Sequence, residues 1–505
     1  MGFLADRSPA GKKRIILVAS TILTAVGNTG ALLLIARNMG VEILGALGFM
    51  LAYVGLFFFL GDLAYGLAFV KVLDKGHPFK DCYSAYLMSK IKFTVALGVV
   101  SGIMIGVYVL LLAPETHTPI HPMSMFAILG YFLVVNMAQI WVVSFRAKGR
   151  ETTAKSYDLL EALGKFGLLL GAISLALTGI GDQAAVLQVS AIYMVAAVLG
   201  LMVIRNNARR FRRFPVDDEV QLEFHDISKS ILPFFALGAI LINLDKVLLW
   251  YFTDFRTLGL YFGAQLITVF IAASSVVIQG IIGGAIDLHL KREDKDAVRD
   301  TLRMTERYVT LVGLPIAAFY IYFPDDVLGA FLGNDFVGGG FAVSLLAAAG
   351  LFTALASPHI AYMIRDSKFG PLSASVGLSF LTLVIILVLF LPENLLLSTA
   401  NLSKMDITAS AVLASSFVGF ITVRLFTAIR LECRPHPRIL AHILCTGITV
   451  VTLTFTAWYF EITTEVHRVL VFAGLGVIIY GVCLYLAGEF LQRDYRSFKE
   501  LTKDD

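Results

Sequence analysis

Long apolar runs recur throughout this chain, and they restrict its fold more than any other feature. Fourteen can be read along the sequence, at 15–35, 44–70, 91–112, 125–145, 158–177, 184–204, 228–252, 257–282, 308–323, 341–363, 369–391, 407–429, 439–460 and 468–488. Crossing a hydrocarbon layer about 30 Å thick takes about 20 helical residues. Lipid offers no partner for backbone N–H and C=O groups, so each segment must satisfy its own, as a helix does. Composition agrees: 57% of the residues are hydrophobic and 15% charged, against about 25% charged in an ordinary soluble domain. The sequence therefore predicts an all-α integral membrane protein, with the runs numbered as spans 1 to 14. Lys12, Lys13 and Arg14 precede span 1, which is too long for a cleaved leader and reads as the first membrane helix.

Basic residues give the expected orientation, because short cytoplasmic loops are enriched in Lys and Arg. With the N-terminus inside, the external loops and span edges hold only Arg37, Arg256, Lys404 and Arg468, while Lys165, Lys246 and Arg424 fall within spans. The clusters "RNNARRFRR" (205–213) and "LKREDKDAVRDTLR" (290–303) then lie inside. Fourteen spans with both termini cytoplasmic satisfy every loop. The first cluster also suits an anionic lipid surface. Pro315 is expected to kink span 9, and the tail "LQRDYRSFKELTKDD" to lie along the cytoplasmic surface.

The chain carries a faint internal repeat. "GVEILGALGFML" (40–51) aligns with "DFRTLGLYFGAQ" (254–265) at an offset of 214, with Leu44 and Leu258, and Gly45 and Gly259, identical. Both pieces join an odd span to an even one. The expected organisation is an N-lobe over 1–204, a basic linker over 205–227, a C-lobe over 228–432, helices 13 and 14 over 433–490 and a tail over 491–505. Parallel repeats of this kind occur in transporters that work by alternating access.

Four stretches resemble the polysaccharide and oligosaccharide transporters of the multidrug/oligosaccharidyl-lipid/polysaccharide exporter superfamily. They are "LLLIARNMGVEILGALGFMLAYVGLFFFLGDLAYGLAFVK" (32–71), "FRAKGRETTAKSYDLLEALGKFGLLLGA" (145–172), "LINLDKVLLWYFTDFRTLGLYFGAQLI" (241–267) and "LVGLPIAAFYIYFPDDVLGAFLGNDFVGGGFAVSLLAAAGLF" (311–352). The version "GDLAYGLAFVKVLDKG" is most similar to archaeal members, with Ala64 where the usual pattern has glycine. The resemblance implies two six-helix lobes in a V around a central cavity lined by spans 1, 2, 7 and 8, plus two C-terminal helices. It implies a flippase that carries an oligosaccharide, linked through phosphate to a polyprenyl or dolichyl lipid, from the cytoplasmic to the outer leaflet of the cell membrane. The implied protein is a multi-pass monomer without cofactor, metal or nucleic-acid partner, in contact with membrane lipids and with H+ or Na+ as candidate coupling ions.

Polar residues within the spans are the candidate site, since charge at bilayer depth is costly and marks function. Asn243 and Lys246 in span 7 share a helix face, and are expected to offer a donor and a cation to sugar and phosphate. Asp245 sits about 100° away on the helix, so adjacent Asp245 and Lys246 are expected to be poor partners. Asn28 in span 1, Gln265 in span 8, and Asn136 with Gln139 in span 4 provide neutral amides, which both donate and accept. Arg37 is placed to meet an anionic head group at the outer mouth. Asp245, Asp62 and the pair Glu161 and Lys165 are the candidate coupling or gating residues, the last two having the favourable i,i+4 order for an ion pair. Arg424, near the inner end of span 12, is expected to snorkel.

Other classes fit less well. No GxxxxGK[ST] phosphate loop is present, and the external loops are short for a membrane glycosyltransferase, so no enzyme is expected. The four cysteines show neither disulfide nor zinc spacing. A cation-coupled multidrug antiporter of the same superfamily, for which Asp245 could serve, and a peptidoglycan-precursor flippase stand as alternatives.

Overall fold

The computed structural model describes residues 9–60, 64–112, 119–175, 181–208, 215, 217–392, 402–459 and 465–489, and these contain helices and no strand. They form two compact units, Met1–Trp250 and Tyr251–Asp505. The helices are α1 (Pro9–Met39), α2 (Val41–Gly55), α3 (Ala64–Asp74), α4 (Phe79–Val107), α5 (Pro122–Ala147), α6 (Glu151–Ser174), α7 (Asp182–Asn207) and α8 (Asp218–Phe252). They continue with α9 (Phe255–Lys291), α10 (Lys295–Tyr322), α11 (Pro324–Phe331), α12 (Gly340–Arg365), α13 (Phe369–Phe390), α14 (Lys404–Leu431), α15 (Arg438–Tyr459) and α16 (Glu465–Leu486). Among the described residues, twelve spans are long and apolar enough to cross a membrane, and thirteen if the bent pair α10–α11 counts as one. The apolar run in α6 is helical too, but Asp158, Glu161 and Lys165 interrupt it.

The helix boundaries have local causes. Asp254 caps α9, its Oδ1 accepting from Thr257 N–H at 2.6 Å, and Asp294 caps α10 through Ala297 N–H at 3.0 Å. Ser403 and Asp406 close a reciprocal capping box at the start of α14, satisfying donors that a helix end leaves open. Span 2 falls within one apolar span, Val41–Asp74, in which α2 ends at Gly55, a 3-10 turn covers Phe58–Leu60 and α3 starts at Ala64. Helix α10 contains Pro315, and a sharp bend, 92°, comes where α10 meets α11 at Phe323. Pro324 at the first position of α11 lacks the N–H that would continue α10.

The two units share a packing pattern. In the first, α4 packs on α5, and α7 packs on both α5 and α6; in the second, α10 packs on α12, and α14 packs on both α12 and α13. The repeat read in the sequence falls on corresponding helix starts, Val41 and Phe255, separated by the same 214 positions. Leu44 and Leu258 are both fully buried. Small residues allow the closest approaches: a Cβ on Gly27 would lie 3.0 Å from the Ala162 backbone, and one on Gly30 would lie 2.9 Å from the Phe166 ring. Helix α1 thus seats directly on α6, as small residues permit in membranes.

Candidate functional site

The first unit buries an ion pair. Lys165 Nζ lies 2.6 Å from Glu161 Oε1, one turn apart on α6, with the two residues 5% and 7% exposed. Tyr131 of α5 donates its hydroxyl to the same Glu161 oxygen at 3.0 Å. The Lys165 ammonium also sits 5.0 Å from the Tyr193 ring and 5.5 Å from that of Tyr131, within range of cation–π attraction. The carboxylate and ammonium therefore offset each other's desolvation, and the tyrosines supply further partners. Arrays like this hold α5, α6 and α7 to one another by polar contacts.

The same unit holds amides with unmet hydrogen-bonding capacity. Asn136 is wholly buried and neither its Oδ1 nor its Nδ2 has a partner, and Asn28 Oδ1 is likewise buried and unmatched. Unsatisfied buried amides are uncommon and call for an occupant such as water or a polar ligand. Gln139, also on α5, is half-buried, and its backbone carbonyl accepts weakly from the Tyr86 hydroxyl at 3.4 Å. Arg37 is exposed near the end of α1. Asp62 lies outside the described residues.

Helix α8 carries the charged segment. Asp245 and Lys246 are buried, at 2% and 8% exposure, and Lys246 Nζ donates to Asp245 Oδ1 at 3.2 Å and to the Ile242 carbonyl at 2.6 Å. The expectation that these neighbours would not pair is thereby corrected. A flexible four-carbon stem lets the ammonium fold back along the helix, so the 100° between the two Cβ directions is not decisive. Asn243 Nδ2 donates to the Ala239 carbonyl at 2.7 Å, and the side chain presses on Gly55 of α2. Trp250, one turn on, packs its ring 4.2 Å from that of Phe49 and 5.5 Å from that of Tyr108.

The second unit holds a meeting of side chains that sequence reasoning did not anticipate. Glu306 on α10, His359 on α12 and Arg424 on α14 converge: Glu306 Oε1 is 2.7 Å from His359 Nε2 and 2.8 Å from Arg424 Nη1. Arg424 does not snorkel but pairs with a buried carboxylate. The available signal was His359 itself, a titratable residue in an otherwise apolar run. Next to Glu306, Arg307 points elsewhere, its Nε pairing with Glu489 beyond the end of α16. Arg438 Nη1 lies 3.1 Å from Glu489 Oε2, and His442 Nδ1 bonds Thr310 at 2.9 Å. Gln265 on α9 donates to the Tyr261 hydroxyl at 3.1 Å.

Comparison with known proteins places this arrangement. The family model for polysaccharide biosynthesis proteins matches residues 72–338, just over half of the chain. The chain belongs to that family. Members of the polysaccharide biosynthesis family can thus have the all-helical, multi-pass build described above. No curated protein matches the sequence. Among solved structures, the lipid II flippase MurJ in an inward closed conformation is similar with a TM-score of 0.71 at 12% identity, over 94% of this chain and 98% of that one. An inward-facing multidrug resistance MATE transporter of the MOP superfamily is similar with a TM-score of 0.60 at 12% identity, over 83% and 98%. A MOP superfamily transporter from Pyrococcus furiosus is similar with a TM-score of 0.59 at 12% identity, over 83% and 94%. This family member therefore has the fold of MurJ and the MATE transporters.

Proposed function

We propose that this protein is a flippase that carries a lipid-linked oligosaccharide, on polyprenyl or dolichyl phosphate, from the cytoplasmic to the outer leaflet of the cell membrane by alternating access. The observation that carries the reading is the family match itself. It runs from α3 to the turn before α12, through helices built for lipid, so this member's part in polysaccharide biosynthesis is best served by moving a glycan within the membrane. Asn28, Asn136, Gln139, Asn243, Lys246, Gln265 and Arg37 are the proposed substrate groups, amides for sugar hydroxyls and cations for phosphate. Asp245, Asp62, Glu161 and Lys165 are the proposed coupling or gating groups, with H+ or Na+ as the ion. Fourteen crossings with cytoplasmic termini complete the proposal. The Glu161–Lys165 pair supports counting α6, because pairing lowers the cost of its charges in lipid.

The multidrug antiporter reading needs a membrane carboxylate free to bind a cation. Asp245 is already held by Lys246, which weighs against it. The test uses full-length protein in vesicles loaded with a fluorescent short-chain polyprenyl-diphosphate disaccharide. Dithionite should quench the label faster across wild-type vesicles than across empty ones, and Lys246→Ala should abolish the difference while the protein remains folded. Efflux of cationic dyes with no movement of the glycolipid would overturn the assignment.

A further inference from the structure

The base of α8 meets the turn that joins α3 to α4, and one carboxylate fastens the two. Glu223 is gripped on both oxygens, Oε1 by Lys75 Nζ and Oε2 by His77 Nε2 at 2.6 Å. Both bases come from the same turn, and Gly76 between them has φ +94°, a conformation that favours glycine. Beside the ion pair, Phe224 is 2% exposed and its ring lies 6.4 Å from that of Tyr65, which stacks in turn on Phe93 at 4.6 Å. A surface clasp thus sits beside a buried aromatic seat.

The clasp is built to open readily. Its side chains are 26% exposed for Glu223 and His77 and 54% for Lys75, and pairs so exposed hold weakly because water and salt screen them. They border an open hollow of about 740 Å³ whose lining includes Glu219 and Asp226. These two carboxylates lie one turn to either side of Glu223 on the same helix face, so a freed Lys75 finds other acids at hand.

The rest of α8 allows its base to move. Among the described residues of this unit, no other helix lies closely along α8. It is met instead by single side chains toward its far end, with Asn243 against Gly55 and Trp250 against Phe49. Pro233 stands between the base and those contacts and removes one N–H from the helix ladder. The base can therefore tilt while Asn243 and Trp250 keep their seats.

We propose that the grip of Lys75 and His77 on Glu223 is a releasable strap, which holds the base of α8 on the α3–α4 turn in one state of the protein and lets it swing away in another. This goes beyond the flippase reading and does not depend on which molecule is moved. With the N-terminus inside, the strap lies at the cytoplasmic end of α8. When it opens, Phe224 leaves Tyr65 along with Glu223, and when it shuts, the aromatic seat returns the carboxylate to its two bases. Charge supplies the catch and the buried ring supplies the register.

Electron–electron double resonance on full-length protein in lipid bilayers reads the strap without requiring transport. Spin labels go on Arg150→Cys, in the exposed turn between α5 and α6, and on Leu222→Cys, which is 67% exposed. Cys483 is replaced by alanine, since the other three native cysteines are buried. The labelled protein should show two distances, and Glu223→Gln should raise the ratio of the released to the strapped one about two- to fivefold, as loss of an exposed ion pair does. Lys75→Gln should act in the same direction. Raising KCl from about 0.05 M to about 0.5 M should move the unsubstituted strap the same way and leave Glu223→Gln unmoved. A single distance with the strap intact, a ratio that Glu223→Gln leaves unchanged, or a salt shift equal in both proteins would overturn the proposal.

Discussion

Asn243 of α8 is seated against Gly55 of α2: a Cβ at residue 55 would lie 2.8 Å from the Asn243 Oδ1 and 3.0 Å from its Nδ2. The amide cannot simply swing aside, because Nδ2 is committed to the Ala239 carbonyl. A proposed substrate residue is thereby fixed by the absence of a side chain on a neighbouring helix.

Gly55→Ala should lower the thermal midpoint of the detergent-solubilised protein, with an overpacking cost of about 1–3 kcal/mol. Asn243→Ala in the same chain should recover much of the loss by making room, and this non-additivity is the signature of contact. Thermal melts of the two single variants and the double variant measure it. Additive losses would mean that the two residues do not touch.

The Glu161–Lys165 pair should behave asymmetrically. Glu161→Gln alone leaves Lys165 charged among tyrosines and should cost about 3–5 kcal/mol, whereas Glu161→Leu with Lys165→Met should be close to neutral. Melting curves test the stability, and the vesicle assay tests whether the stable double variant still moves glycolipid. Lost transport in a stable double variant would assign the pair to coupling.

His436 lies between α14 and α15, where burial, reinforced by Arg307 and Arg303, holds its imidazole below the ordinary histidine range. Its Nδ1 accepts from the Arg438 N–H at 3.2 Å. A histidine depressed in the fold favours the folded state above its unfolded pKa, and that contribution fades as pH falls toward the folded value. The protein should therefore melt at a lower temperature at pH 5.5 than at pH 7.5. His436→Asn keeps an acceptor but cannot titrate, so it should reduce the difference, and an unchanged difference would assign the pH dependence elsewhere.

Much of the fold was legible because lipid imposes a one-dimensional rule: a run of apolar residues must be a helix. Each of the fourteen runs overlaps helix in the structure, and the i,i+4 spacing of Glu161 and Lys165 was enough to foresee their pairing. Side-chain reach was less legible, as Lys246 folding back onto Asp245 demonstrates. Least legible was the meeting of Glu306, His359 and Arg424. His359 is 53 residues from Glu306 and 65 from Arg424, and no local pattern records which faces of three helices turn toward one another. The bend at Phe323 went unread: Pro315 stays inside α10, as a proline can where neighbours absorb the gap, while Pro324 stands where a new helix starts.

Glu306 and Arg307 are consecutive, yet each grips a different set of neighbours, the first α12 and α14, the second the Glu489 carboxylate with α15 alongside. A helix tethered on two sides in this way cannot swivel about its own axis without tearing one tether. Whatever rearrangement this half of the molecule undergoes, α10 must travel as an axle with both sets of neighbours in tow, and the last two helices are passengers of that motion rather than bystanders.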